Sequence, residues 1–222
     1  MKPVKIISAL VLGASLIAGC TLTETPSASN YSGWLSDYSN LTEVKTPTGG
    51  TSLRWINPAF QKGKYHAVII ENTTYYPQAQ PSAQVGAGVL QEIPAYLKQQ
   101  LVAQLGTELK VVQKAGPGVL RMKTAITGVD TPIENLQAYE YVPIGLVFAG
   151  ISTAAGSRDH ETVVYLEAQV TDSRSGDIIA KAVRKGVGNE LQNKKAQVTL
   201  ADVKPVLNDW AKDAALTLKA MQ

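Results

Sequence analysis

The sequence predicts an α+β fold, a single domain in which a mixed β-sheet of about five strands carries two main helices. Three observations predict this class. An apolar, β-branched run at residues 65–71 is typical of a central strand, and an amphipathic helix follows it. Alternating strands fill the middle of the chain, and a second amphipathic helix ends it. The order strand, helix, four strands and helix gives a sheet with helices packed on it.

The first helix is predicted from apolar residues at helical spacing, with Pro94 near its start and Gly106 as its C-terminal stop. Its apolar stripe consists of Leu90, Ile93, Leu97, Leu101 and Leu105. The strand before it at 65–71 and a short strand after it at 109–112 favour a right-handed crossover between parallel neighbours.

The strands in the middle of the chain are predicted from their alternation. From Leu120 to Thr127, apolar residues alternate with more polar ones, which predicts one buried face and one face in water. The same period recurs at 162–170. Turn-forming residues at 172–177 then lead into a strand at 178–187, so these two strands are predicted to form a hairpin.

The last helix has an apolar face that is easily recognised, but its start is open to two interpretations. The face consists of Val203, Val206, Leu207, Trp210, Ala214 and Leu218. Thr199 and Asp202 could form a capping box, but that start would place Pro205 in the second turn of the helix. Asp202 is therefore predicted as the N-cap, with Pro205 in the first turn.

A further apolar stripe precedes the strands. Trp34, Leu35, Tyr38 and Leu41 have helical spacing and predict a short helix docked on the core. The alternative is an exposed aromatic hook that binds a partner. Pro47, Gly49 and Gly50 fall in residues 45–52, which are predicted as a loop.

The first residues have the features of a secretory signal. Lys2 and Lys5 precede an apolar run at 6–17, and small residues follow it. This run is too short to span a bilayer as a permanent helix. Residues 1–19 are therefore predicted to be a signal peptide that is cleaved from the protein.

Leu16-Ile-Ala-Gly-Cys20 closely resembles the bacterial lipobox. The resemblance implies cleavage before Cys20, a diacylglyceryl thioether on its sulfur, and acylation of the new amino terminus. Residues 20–33 are predicted to be the lipidated cysteine and a flexible tether, because their small polar side chains have little to bury. Residues 34–222 are predicted to be a single α+β domain in the periplasm.

Composition excludes several classes of site. Removing Lys2 and Lys5 from the 21 basic residues leaves 19 basic against 18 acidic, which is too balanced for nucleic-acid binding. Cys20 is the only cysteine, so disulfides, thiolate metal clusters and a cysteine nucleophile are excluded from the folded part. The histidines, His66 and His160, stand in no metal or catalytic motif. We predict no catalytic residue, metal ligand or cofactor.

Carboxylates offer the main alternative, an envelope hydrolase. The candidate pairs are Asp159 with Glu161, and Asp172 with Asp177. A functional pair should converge in a concave pocket, and the pKa of one member should be raised.

The uncharged stretch at residues 143–156 is unusual for a simple sheet-and-helix domain. It is too short to span a membrane as a helix. It either closes one end of the core or forms a surface for self-association, partner binding or contact with lipid. The residues of this predicted interaction surface are Pro143, Ile144, Leu146, Val147, Phe148 and Ile151.

Three motifs resemble a bacterial lipoprotein family called domain of unknown function 3313. They are the lipobox, the stretch Ser32-Gly-Trp-Leu-x-x-Tyr-x-x-Leu41 and the hairpin motif Asp172-x-x-x-Gly176. The resemblance implies localisation and single-domain organisation, and the family has no activity to transfer. Thr21 follows Cys20, which in Gram-negative lipoproteins implies sorting to the outer membrane. The element order also resembles periplasmic α/β modules of cell-wall synthase activators and secretion-pore lipoproteins.

The predicted function is therefore that of an outer-membrane lipoprotein that faces the periplasm. It is expected to act without catalysis, as a binding or scaffolding component of an envelope complex. The partners are expected to be the membrane, through the lipid on Cys20, and an envelope protein or a second copy of the chain. The alternatives are the carboxylate hydrolase and an oligomeric accessory lipoprotein of secretion or transport.

Overall fold

The computed structural model describes residues 26, 31–82, 84–127, 161–192 and 196–222. In this part of the chain, eight strands form one mixed sheet that carries two helices, and the predicted α+β class is confirmed. The strands are β1 (Thr42–Lys45), β2 (Thr51–Ile56), β3 (Ala67–Ile70), β4 (Thr74–Tyr76), β5 (Lys110–Val111), β6 (Val119–Thr127), β7 (Glu161–Asp172) and β8 (Ile178–Glu190). The helices are α1 (Ala87–Leu105) and α2 (Leu200–Met221).

The strand order of the sheet is β1-β2-β8-β7-β6-β3-β5, and β4 also pairs with β6. The run from β1 to β6 is antiparallel, whereas β3 is parallel to both β5 and β6. The predicted β7–β8 hairpin is confirmed, and so is the helix between the parallel neighbours β3 and β5. The sheet exceeds the expected size chiefly through β1 and β4, two short strands with mostly exposed residues.

Helix α1 buries the predicted leucine and isoleucine stripe, but it begins earlier than expected. Because the helix starts at Ala87, Pro94 lies in its third turn and not near its start. The proline ring removes the hydrogen bond to the carbonyl of Leu90. Burial of the stripe outweighs this loss, since Ile93 and Leu97 are both fully buried.

Helix α2 starts with the capping box, so the prediction of Asp202 as N-cap is wrong. Thr199 donates hydrogen bonds from its backbone N–H and its hydroxyl to Asp202 Oδ2, at 2.8 and 2.7 Å. Pro205 consequently falls in the second turn, where it leaves the carbonyl of Ala201 without its helical donor. Asn189 on β8 donates to that carbonyl at 3.4 Å, which explains how this start is tolerated.

The two helices pack on one face of the sheet, and residues 31–41, the N-terminal segment, cover part of the other face. Leu120 and Leu166 point into the core under the helices. Glu167 and Lys181 point the opposite way, yet both are buried. The predicted water-facing side of β6 is therefore wrong at its end, where Ala125 is fully buried beside Glu167.

The N-terminal segment is not the predicted short helix. It consists of turns, with Gly33 at φ 88° and Ser36 at φ 59°, in a left-handed conformation that an α-helix cannot contain. Leu35 is nevertheless buried, as the docked interpretation of the stripe requires. The segment is therefore part of the fold, and its backbone N–H groups find partners outside any helix.

Candidate functional site

An apolar cavity of about 150 Å³ lies between the sheet and the two helices. Its buried part is lined by Leu97 and Leu101 of α1, Leu166 of β7 and Trp210 of α2. Arg54, Thr217 and Met221 also line it and are only half-buried, so the cavity meets solvent along the last turns of α2.

Small side chains at the centre of the sheet create this cavity. Ala168 on β7 pairs with Ala182 on β8, and Ala180 pairs with Val170. All four residues line the cavity, as does Ala214 of α2. Where a core strand would normally present valine or isoleucine towards the helices, Ala168, Ala180 and Ala182 present only methyl groups. The space above them stays unfilled.

A cavity of this size reduces the stability of the fold. Protein interiors are packed about as densely as organic crystals, with few voids larger than a water molecule. The apolar lining of the cavity offers water few hydrogen-bond partners and offers dispersion contacts to apolar molecules. The cavity is therefore the strongest candidate for a ligand site in the described part of the chain.

A buried ion pair forms one wall of the cavity. Arg184 Nη2 on β8 donates to Asp213 Oδ2 on α2 at 2.6 Å, and both side chains are almost fully buried. Thr48, in the β1–β2 turn, donates its N–H and its hydroxyl to the same carboxylate at 2.8 and 2.9 Å. Burial lowers the pKa of Arg184, and the charge of Asp213 opposes that shift. The pair joins helix, sheet and turn.

Arg54 brings a second positive charge to the cavity. Its Nη1 donates to the hydroxyl of Thr217 at 3.1 Å, and it makes no ion pair with any described residue. Burial lowers the pKa of Arg54, and Asp213 partly offsets this shift. Two guanidinium groups thus share the region of one buried carboxylate.

The opposite face of the sheet holds the other polar cluster, centred on Glu167. Its side chain is fully buried and accepts four hydrogen bonds from the N-terminal segment. Oε1 accepts from the N–H and hydroxyl of Ser32 at 3.0 and 2.8 Å. Oε2 accepts from the N–H of Leu35 at 3.2 Å and the hydroxyl of Tyr38 at 2.7 Å. Burial, together with the hydrogen bond to Glu167, raises the pKa of Tyr38.

Lys181 makes a second attachment for the same segment. Its Nζ donates to the carbonyl and to Oδ2 of Asp37, both at 2.8 Å. The same ammonium lies 5.3 Å from the ring centre of Trp55 on β2. The hydrogen bond from Lys181 holds the pKa of Asp37 well below its ordinary value. Glu167 and Lys181 together fix the N-terminal segment to the sheet.

Asp172 and Asp177, one candidate pair of the alternative hydrolase, are both used in the turn of the β7–β8 hairpin. Asp172 Oδ1 accepts from the N–H groups of Arg174 and Ser175 at 2.9 and 3.3 Å, and Asp177 Oδ2 accepts from the Ser175 hydroxyl at 2.7 Å. These bonds order the hairpin turn. The backbone N–H groups hold the pKa of Asp172 below its ordinary value, whereas a paired acid would have a raised pKa.

Other predicted site residues lie outside the described part of the chain. These are Cys20, Asp159, and the predicted interaction surface Pro143, Ile144, Leu146, Val147, Phe148 and Ile151. Glu161 begins β7, but its side chain is not among those described. Among the described residues, no group of three or more His, Cys, Asp or Glu is arranged to hold a metal ion. None of the described helices has both the length and the apolar character needed to cross a membrane.

Residues 30–214 match the model of a family described as "Protein of unknown function (DUF3313)". The chain belongs to the DUF3313 family. A relative in Escherichia coli (strain K12), "Uncharacterized lipoprotein YdcL", is 37% identical over 208 residues, covering 94% of this chain and 93% of that protein. This similarity supports the lipoprotein interpretation of the first twenty residues.

Two solved structures are also similar to this DUF3313 chain. The PelC dodecamer from Paraburkholderia phytofirmans has 12% identity and a TM-score of 0.33, over 71% of this chain and 94% of that one. Protein CT253 from Chlamydia trachomatis has 7% identity and a TM-score of 0.34, over 71% and 91% of the two chains.

Sequence reasoning missed both polar clusters and the cavity of this DUF3313 protein. Glu167 lies between Leu166 and Ala168, and Lys181 lies between Ala180 and Ala182, so a charge flanked by apolar residues was the signal for a buried partner. Ala168, Ala180 and Ala182 alternate with larger residues on neighbouring strands. That alternation was the signal for a hollow, although it becomes informative only once the strand register is known.

Proposed function

We propose that the protein is an outer-membrane lipoprotein that faces the periplasm and acts, without catalysis, as a binding module for an envelope partner held near the membrane. The observation that carries this proposal is the attachment of the N-terminal segment to Glu167 and Lys181. Because of that attachment, the folded part begins close to the predicted lipid anchor.

The distance between the anchor and the fold supports a role at the membrane surface. Residues 21–30 separate Cys20 from Tyr31 and can reach at most about 40 Å when fully extended. This reach is comparable with the diameter of a domain of this size. The domain is therefore confined to a thin layer above the lipid, where its effective concentration towards a membrane-bound partner is high.

The non-enzymatic part of the proposal is supported by the Asp172–Asp177 turn and by a family without an assigned reaction. The proposed contact with a partner protein, or with a second copy of the chain, is the uncharged stretch at 143–156. Its composition supports this role, because uncharged apolar stretches of that length usually mark contact sites when they are exposed.

In-cell photo-crosslinking tests the proposal. A photo-reactive residue at Val147 should give one dominant crosslinked product in cells, identified by mass spectrometry. The same probe at Thr107, an exposed position after α1, is the matched control and should give no such product. Substitution of Cys20 by Ala should leave an unlipidated precursor, so it should remove the fatty-acid label, and it should remove the Val147 product because the precursor does not reach its normal place in the envelope.

Three results would contradict the proposal. Equal fatty-acid labelling of Cys20→Ala and the parent would disprove the anchor. Crosslinking patterns at Val147 and Thr107 that do not differ would disprove the proposed contact surface. Membrane fractionation of the labelled parent tests the sorting, and a label confined to the inner membrane would contradict the outer-membrane assignment.

A further inference from the structure

We infer that the cavity between the sheet and α2 is a binding site for a medium-chain alkyl anion, with the alkyl chain inside and the anionic head group on Arg54. This inference concerns the folded domain itself and does not depend on the anchor or on the proposed partner.

The shape of the site follows from its lining. Its inner part is formed by leucines of α1 and β7 and by the ring of Trp210, all of them buried. Ala168 and Ala182 form its floor on the sheet. These side chains make dispersion contacts with a chain of methylene groups, and they offer a ligand very few hydrogen bonds. The lining therefore favours an alkyl group.

The size of the site limits the length of that chain. A cavity of 150 Å³ holds a molecule about the size of benzene, which corresponds to a chain of about six carbons, so any further methylenes and the head group lie in the part that opens to solvent. A full-length membrane acyl chain would exceed this volume.

The charge at the open end determines the head group. Arg54 is half-buried, it lines the cavity, and its only side-chain hydrogen bond in the described part of the chain is to the hydroxyl of Thr217. Asp213, a carboxylate whose charge acts on Arg54, is already bonded to Arg184 and to Thr48. A guanidinium with unused N–H donors beside an apolar cavity suits a carboxylate, which it can bind through two parallel hydrogen bonds.

Equilibrium dialysis with radiolabelled octanoate tests the site. The lipidated protein is held in phosphatidylcholine nanodiscs, and empty nanodiscs give the background. We expect saturable binding of one octanoate per chain, and at least tenfold weaker binding of octanol, which has the same chain and no charge.

Three variants locate the ligand. Arg54→Gln should weaken octanoate binding about tenfold and leave octanol binding unchanged. Arg174→Gln, which removes an exposed arginine from the β7–β8 turn, is the matched control and should change neither. Ala182→Leu should abolish binding of both compounds by filling the cavity, and circular dichroism establishes that this variant is folded.

The possible failures are distinct. Binding no greater than that of empty nanodiscs would overturn the site itself. Equal binding of octanoate and octanol, or an unaffected Arg54→Gln variant, would overturn the head-group assignment to Arg54. Undiminished octanoate binding by a folded Ala182→Leu protein would show that the ligand lies elsewhere. If Ala182→Leu does not fold, the comparison of Arg54→Gln with Arg174→Gln still decides whether the cavity end at Arg54 is occupied.

Discussion

The two faces of the sheet are closed in different ways. On one face, α1 and α2 pack apolar side chains against the strands, and the Arg184–Asp213 pair is buried between β8 and α2. On the other face, the turns of residues 31–41 are held by polar contacts to Glu167 and Lys181. One cover consists of regular helices, and the other consists of irregular backbone tied to two charged side chains.

This difference separates the contacts that hold the whole domain together from those that hold only the N-terminal segment. Removing α2 would expose a core cluster that includes Trp210 and Leu207, so that cover cannot open alone. The N-terminal segment buries few large apolar side chains, chiefly Leu35, so its release would cost mainly hydrogen bonds. We expect damage to the helix face to unfold the domain and damage to the segment face to release the segment only.

The largest effect is expected from Asp213→Ala, on the helix face. This substitution leaves Arg184 buried without its carboxylate and removes the acceptor for both Thr48 hydrogen bonds. Loss of one partner of a buried pair typically costs about 3–5 kcal/mol. Urea unfolding followed by circular dichroism should therefore show a large fall in the midpoint.

A matched double substitution sharpens this prediction. Arg184→Met combined with Asp213→Leu removes both charges, so the part of the loss that comes from the unpaired Arg184 should return, whereas the Thr48 hydrogen bonds stay lost. If the double variant is as unstable as Asp213→Ala, the unpaired charge is not the cause.

A smaller effect is expected from Glu167→Gln, on the segment face. The amide keeps one acceptor oxygen but turns an N–H group towards donors such as the N–H of Leu35. Lost hydrogen bonds to a charged group typically cost about 1.5–3 kcal/mol each, but water can replace them once the segment is released. Proteolysis at residues 31–41 should accelerate while the urea midpoint of the sheet changes little.

The control is Glu43→Gln on the exposed edge strand β1, which should leave the proteolysis rate unchanged. A fall in the urea midpoint of Glu167→Gln as large as that of Asp213→Ala would contradict the comparison of the two faces.

A gain in stability is expected from Ala182→Val, because the added methyl groups enter the cavity. Burial of each methylene-sized group contributes about 0.8 kcal/mol, so the expected gain is about 1 kcal/mol after some strain. Thermal unfolding in the absence of alkyl compounds measures it. Ala215→Val is the comparison, since Ala215 is buried in α2 but does not line the cavity, and it should destabilise the protein.

The smallest effect is expected from Asp37→Asn, and it depends on pH. The folded pKa of Asp37 is held below 3.8 by Lys181, so the carboxylate stabilises the fold above that pH. The contribution should shrink as the pH falls below 3.8 through the folded pKa. The difference in the rate of proteolysis at residues 31–41 between the parent and Asp37→Asn, followed with proteases active at each pH, should therefore be present at pH 7 and fade in acid. A difference that grows in acid would contradict this sign.

The regular elements could be predicted from sequence because their signals are local. The stripe of α1 and the hairpin turn at Asp172 each lie within a short stretch of chain. The N-terminal segment was mispredicted as a helix because its conformation depends on Glu167, more than a hundred residues away. The start of α2 was mispredicted because Asn189 on β8 supplies the donor that makes Pro205 tolerable.

Neither the cavity nor the position of Arg54 at its open end could be predicted, for a similar reason. An alanine in a strand can lie under a tightly packed side chain or under empty space. Only the pairing of Ala168 with Ala182 shows that these alanines lie under empty space. Arg54 appeared to be an ordinary strand residue until Thr217, on the other end of the chain, was placed beside it. Strand register and helix placement are long-range properties, and they decide what each side chain contacts.

The attachment of Ser32 to Glu167 has a mechanical consequence. Tension on the proposed lipid anchor would enter the fold through the N-terminal segment, and among the described residues of that segment Ser32 makes the hydrogen bonds to the sheet that lie nearest the anchor along the chain. If residues 32–41 peel away, the linkage to the membrane lengthens by up to about 35 Å while the helix-covered core stays intact. The N-terminal segment would therefore unfold and lengthen first under tension, before any strand of the sheet is pulled apart.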